Sequence, residues 1–189
     1  MTKQRLRFFE KSLGQRHITG TDKYLYKAPE STYRLVIIGT VTIGQAHMYV
    51  ATLLGRARVH GIYDSQTQSM DVAEQNFKGY SDQSLVRYAD LESACSDPDA
   101  DALMICTPNH THFDLLKVAM LSGKPIFLEK PMAKTLEDAA AIVKANETYG
   151  SFIQIGLQYR YKAQYIEAFH EVQARASIGV IKTISMSEY

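Results

Sequence analysis

The chain has 189 residues, 46% of them apolar, with 21 basic and 20 acidic side chains and a formal net charge of +1. That length supports one full core and part of a second, and the balanced charge excludes the basic surface that nucleic acid or an anionic membrane requires. Two cysteines and six histidines without ligand spacing exclude a disulfide framework and give no expectation of a metal.

Residues 1–32 are basic and polar, with Phe8, Phe9, Tyr24 and Tyr26 interspersed. A short helix is expected near Lys3 to Ser12. The stretch reads either as a flexible leader or as an arm whose aromatics pack on the domain or on a partner subunit. It has no apolar core of signal-peptide length, and no run in the chain reaches a membrane span, so a cytoplasmic location is expected.

Tyr33 to Leu54 is the organising stretch. Leu35 to Ile38 reads as a buried strand, a glycine turn follows, and Ile43, Ala46, Val50 and Leu53 recur at helical spacing. Dinucleotide-binding turns carry G-x-G-x-x-G between strand and helix. Gly39 and Gly44 occupy the first and third positions, while Val41 replaces the middle glycine, where pyrophosphate would approach the helix N-terminus. The bend Thr40 to Ile43 is therefore the expected diphosphate seat, with its fingerprint damaged. The next strand, Ala57 to Tyr63, ends in Asp64, about 20 residues past Gly44, where such a unit places an acid on the ribose hydroxyls. Asp64 would repel a 2'-phosphate, and no Arg follows in Ser65 to Gln68, so NAD is favoured over NADP.

A helix is expected from Thr67 to Asn76, a helix-like segment over Asp82 to Val86, a short strand at Tyr88 to Asp90 and a helix over Leu91 to Ser96. Asp101 to Thr107 reads as a strand covered on both faces. Thr111 with Asp114 resembles a capping box for a helix running to Gly123. Pro125 to Leu128 is the next strand, Thr135 with Asp138 repeats the cap, and the following helix runs to Tyr149. Ser151 to Tyr159 is a further strand. This alternation predicts an α/β fold, a Rossmann-like parallel sheet with helices on both faces. Beyond it, a helix over Lys162 to Ala174, a turn at Ile178 to Val180 and a strand over Lys182 to Ser187 read as the start of an incomplete α+β second domain. The expected division is 1–32, 33–158 and 159–189.

Three ordered motifs carry a family resemblance: the glycine turn ending in Gly44 with His47, C-T-P-N-H-T-H over Cys106 to His112, and E-K-P over Glu129 to Pro131. Together, from Arg34 to about Tyr161, they resemble the glucose-fructose oxidoreductase / inositol dehydrogenase family (Gfo/Idh/MocA). The resemblance implies an NAD(P)-binding domain followed by a larger antiparallel-sheet domain that holds substrate. It also implies hydride transfer to or from a secondary alcohol of a sugar, inositol or related polyol. It maps Gly39 and Gly44 to the pyrophosphate and Asp64 to the ribose. Thr107, Pro108, Asn109 and His112 map to the wall beside the cofactor, Glu129 to the same cofactor site, and Lys130 to the active-site lysine. Hydride leaving a carbinol carbon needs a base for the hydroxyl proton and positive charge near the developing alkoxide, and Lys130 supplies the charge. A cis bond before Pro131 would fix that turn.

Arg160 and Tyr161 stand where the family begins its substrate domain, either lining a pocket or packing. The family's aspartate and histidine for the reacting hydroxyl have no equivalent in the last residues, so the chain reads as truncated. Three readings follow: the cofactor portion of an NAD(P)-dependent oxidoreductase, a non-catalytic pseudoenzyme or nucleotide-binding regulatory module, and an inactive fragment of a longer dehydrogenase. Expected partners are the nicotinamide dinucleotide and, in a completed protein, a small polyol or sugar, with homo-oligomers open.

Overall fold

The computed structural model describes residues 33–185. The expected helix near Lys3 to Ser12 and the aromatic arm lie outside them. Two compact units divide the chain, Met1–Gly156 and Leu157–Tyr189.

The first unit alternates strands and helices: β1 (Tyr33–Ile38), α1 (Thr42–Leu54), β2 (Ala57–Tyr63), α2 (Thr67–Lys78), β3 (Val86–Arg87), α3 (Leu91–Ser96), β4 (Ala102–Ile105), α4 (His112–Met120), β5 (Ile126–Leu128), α5 (Leu136–Asn146) and β6 (Ile153–Ile155). The six strands form one sheet in the order β3-β2-β1-β4-β5-β6, and every pairing is parallel. Side chains alternate across a strand, so β1 feeds two cores. Val36 and Ile38 join Leu103, Ile105, Ile126 and Leu128 beneath α3, α4 and α5. Ile37 joins Ile62, Met48 of α1 and Phe77 of α2 on the opposite face. The sheet is thus covered on both sides, which explains the continuous apolar runs of its strands.

Several local expectations are corrected. The buried residues of α1 are Gly44, Met48 and Ala51; Ile43, Val50 and Leu53 are 49%, 44% and 42% exposed, and Ala46 is exposed as well. Segment 82–85 is irregular, and the strand is Val86–Arg87 rather than Tyr88 to Asp90, because Gly61 and Ile62 pair there. A Cβ on Gly61 would lie 2.5 Å from the Tyr88 ring, so this pairing depends on the bare glycine.

Thr111 caps nothing. Its hydroxyl bonds Thr107 Oγ1 and the Pro108 carbonyl, each at 2.8 Å, while Asp114 pairs with Lys117. The expected cap at Thr135 forms, with its Oγ1 accepting from Asp138 N at 3.1 Å. The strand expected over Ser151 to Tyr159 stops at Ile155.

The second unit carries a 3-10 turn (Gln158–Tyr161), α6 (Ala163–Phe169) and a π turn (His170–Ala174). Residues 182–185 are irregular rather than extended in a sheet, and the rest of that expected strand lies outside the described residues.

Candidate dinucleotide site

A parallel sheet puts the C-terminal ends of all its strands on one edge. The chain leaves β1 toward β2 on one side, and β4 lies on the other, which opens a crevice between the β1 and β4 ends. At that point the turn is set by sterics. Gly39 has φ +92°, and a Cβ there would lie 2.7 Å from Thr107 Cγ2 and 2.8 Å from the Cys106 carbonyl carbon. A Cβ on Gly44 would lie 1.9 Å from the Gly39 carbonyl oxygen. The first glycine thus lets the turn pass against the β4 end, and the last lets the helix close on the turn.

Val41 is the N-cap of α1, at φ −79° and ψ −154°, and makes no side-chain cap. Any residue adopts that backbone. Its side chain is 57% exposed. It stands at the start of a helix whose first N–H groups have no intrahelical acceptor.

The turn is anchored from below. Thr40 is fully buried, and both its N–H and its hydroxyl donate to Asp64 Oδ2, at 2.8 and 3.2 Å. Asp64 Oδ1 accepts from the Gln66 N–H at 2.9 Å. The Thr40 carbonyl accepts from Gln45 Nε2 at 2.8 Å. An ionised carboxylate offers about four lone-pair sites, so Asp64 keeps one for a ligand hydroxyl while holding the turn.

A cavity of about 620 Å³ opens here, lined by Gly39, Val41, Ile43, Asp64, Thr107 and Asn109 among others, including Pro108. It therefore gathers most of the residues expected at the cofactor. Thr40 lies beneath it, and Gly44 packs behind the turn. His112 is fully buried and sits behind the wall: its Nδ1 lies 2.8 Å from the Pro131 carbonyl and its Nε2 2.9 Å from the Thr107 carbonyl. It joins the segment after β4 to the segment after β5. Cys106, missed as a site residue because its strand reads as core, borders the same cavity. Burial, helped by the charge of Glu129, pushes its thiol up to about 12.

Glu129 and Lys130 follow β5 on the same edge of the sheet as Asp64. Three strand steps separate the β2 and β5 ends, about 14 Å at the usual spacing, a span suited to an extended ligand. Lys130 is exposed, and its bond to Pro131 is cis. Arg160 and Tyr161 belong to the second unit, in its 3-10 turn, and both are exposed. Among the described residues no cluster of three His, Cys, Asp or Glu is placed to hold a metal, and no helix is long and apolar enough to cross a membrane.

A doubly wound parallel sheet with a glycine turn, an acid after the second strand and a crevice at the switch point defines a Rossmann-type unit. Residues 33–157 match the Gfo/Idh/MocA family, described as an oxidoreductase family with an NAD-binding Rossmann fold. The chain belongs to this family.

Inositol 2-dehydrogenase of Paracoccus denitrificans is 31% identical over 137 residues, covering 71% of this chain and 40% of that protein. Its namesake from Ralstonia nicotianae is 32% identical over 150 residues, covering 78% and 43%. The crystal structure of myo-inositol dehydrogenase from Lactobacillus casei in complex with NAD(H) and myo-inositol superposes with a TM-score of 0.68 at 31% identity, over 79% of this chain and 42% of that one. The chain thus spans about two fifths of the length of these relatives.

Proposed function

We infer that this chain is the dinucleotide-binding portion of an NAD-dependent oxidoreductase acting on a secondary alcohol of a polyol, with an inositol or related sugar as the substrate class. The observation that carries the reading is the crevice itself: Gly39, Asp64 and Thr107 line one cavity, and Lys130 follows the neighbouring strand end on the same edge.

The residues present fit the cofactor. Gly39 and Gly44 let the turn and the helix pack on the chain's own Thr107 and Gly39 backbone, which keeps the crevice beside them open, and Asp64 retains one acceptor site for a ribose hydroxyl. Ile43 and Thr42 offer first-turn N–H groups to a diphosphate, with Val41 standing over them. Thr107, Pro108 and Asn109 wall the crevice. When bound, the nicotinamide would accept or return the hydride. Lys130 would hold positive charge at the strand end, where an ammonium stabilises a developing alkoxide. We assign residues 33–158 to the cofactor domain and 159–189 to the start of the substrate domain, with Arg160 and Tyr161 as its first substrate contacts.

The test is NADH titration into this chain, by calorimetry and by cofactor fluorescence. Saturable binding supports the reading; no binding at millimolar NADH overturns it. A second reading, a non-catalytic nucleotide-binding module, is favoured by the cavity lining, which includes Asp64 and Thr107 but not Lys130. Tight NADH binding with no hydride transfer to any of a panel of polyols, in the chain extended to the length of its relatives, would select it.

A further inference from the structure

Glu129 is only 17% exposed at its side chain, and a carboxylate withdrawn from water needs donors. It has two. Oε1 lies 2.8 Å from His47 Nε2, and Oε2 accepts from the backbone N–H of Lys130 at 2.9 Å. An ionised carboxylate only accepts, so His47 donates through Nε2.

The pair is half-buried and packed on two sides. The His47 ring stands edge-on to Phe127 with centroids 5.1 Å apart. A Cβ on Gly156 would lie 2.9 Å from the Phe127 ring and 3.2 Å from Glu129 Cδ and Oε2. Glu129 is therefore held from both sides, and His47 lies on α1 one turn past Gly44.

We propose that His47 is a positioning residue for Lys130, acting through Glu129. The proposal rests on the reading of Lys130 given above. Among the described residues the hydrogen bond of His47 Nε2 goes to Glu129, so its part is one of position. Its effect is twofold. It fixes the carboxylate that orders the Lys130 backbone, tying that backbone to the helix that starts at the glycine turn. It also takes one of the acceptor sites on Glu129 Oε1, leaving fewer for the adjacent Lys130 ammonium. The histidine one turn past the last glycine and the glutamate before the lysine then work as one device, though 82 positions apart in sequence.

The experiment uses the full chain and three variants: His47→Leu, His47→Gln and Glu129→Ala. Hydrogen exchange at the Lys130 amide is followed without ligand, and NADH affinity is measured separately. His47→Leu is expected to speed Lys130 exchange at least tenfold while β1 and β4 amides stay within twofold. His47→Gln, whose side-chain N–H still reaches Glu129, restores most of the protection. Glu129→Ala, with no acceptor for either donor, speeds exchange at least threefold.

Unchanged Lys130 exchange in a folded His47→Leu chain overturns the proposal. So does equal loss in His47→Leu and His47→Gln. If His47→Leu fails to fold, unchanged exchange in Glu129→Ala overturns it instead. Failure of the unchanged chain to bind NADH removes the redox reading and leaves the exchange result standing as the judgement on the His47–Glu129–Lys130 link.

Discussion

Val41→Gly isolates the one position where the turn departs from the dinucleotide pattern. The backbone at φ −79° and ψ −154° does not require glycine, so any effect comes from the side chain. That side chain is 57% exposed, and deleting it gives up less than about 1 kcal/mol of burial. Glycine is also a better N-cap than valine, so the fold should hold.

What changes is access to the first-turn N–H groups of Thr42 and Ile43. One recovered charge-assisted hydrogen bond contributes about 1.5–3 kcal/mol, which is roughly ten- to a hundredfold in Kd. Calorimetric titration of NADH at fixed ionic strength reads this directly, with Val41→Ala expected to fall between. The gain should shrink as salt rises, since the diphosphate charge is screened. A Val41→Gly chain that binds NADH within twofold of the unchanged chain refutes the idea that this side chain obstructs the seat.

Gly44→Ala places a Cβ 1.9 Å from the Gly39 carbonyl oxygen; thermal melts should show a loss at or above the upper end of overpacking costs, about 3 kcal/mol. Asp64→Ala strands the buried Thr40 N–H and hydroxyl, each worth about 1–3 kcal/mol when unpaired, and should lower Tm by several degrees while weakening NADH binding. His112→Leu removes the ring N–H that one of the Thr107 and Pro131 carbonyls accepts from; about 1–3 kcal/mol should be lost, read from urea midpoints. In acid, the Asp101 carboxyl is held below its ordinary range by its hydrogen bonds to Arg34, and Asp97 likewise by Tyr88. A depressed folded pKa stabilises above the unfolded value and is lost as pH falls through the folded one. Stability should therefore fall below about pH 4, and Asp101→Asn should make that acid limb shallower.

The turn from β1 to α1 was legible because its constraints are local: Gly39 must pass the β4 end, and Gly44 must admit its own turn. The face of α1 was not. Ile43, Ala46, Val50 and Leu53 make the more apolar stripe, yet the helix packs through Gly44, Met48 and Ala51. Hydrophobicity ranks residues by transfer energy, whereas a helix pressed against a glycine turn selects the side that is small enough to approach. The stripe it leaves exposed borders the cavity only at Ile43.

The same distinction governs Asp64 and Thr111. The acid's position after β2 was readable from spacing, but its hold on Thr40 depends on a register that only the paired strands create. Thr111 resembled a cap in sequence, but its backbone is already helical at φ −98° and ψ −12°, where a capping residue is extended, and its hydroxyl turns back to Thr107 Oγ1 and the Pro108 carbonyl, within reach only once the turn after β4 has formed. Sequence spacing thus locates the groups that a strand end presents, while the folded edge decides whether each group is spent on the scaffold or left for a ligand. By that criterion Asp64 spends three bonds on the scaffold and is proposed to keep one site for a ligand, His112 is wholly scaffold, and Lys130, with its backbone held by Glu129 and its side chain exposed, is the group proposed to meet the ligand.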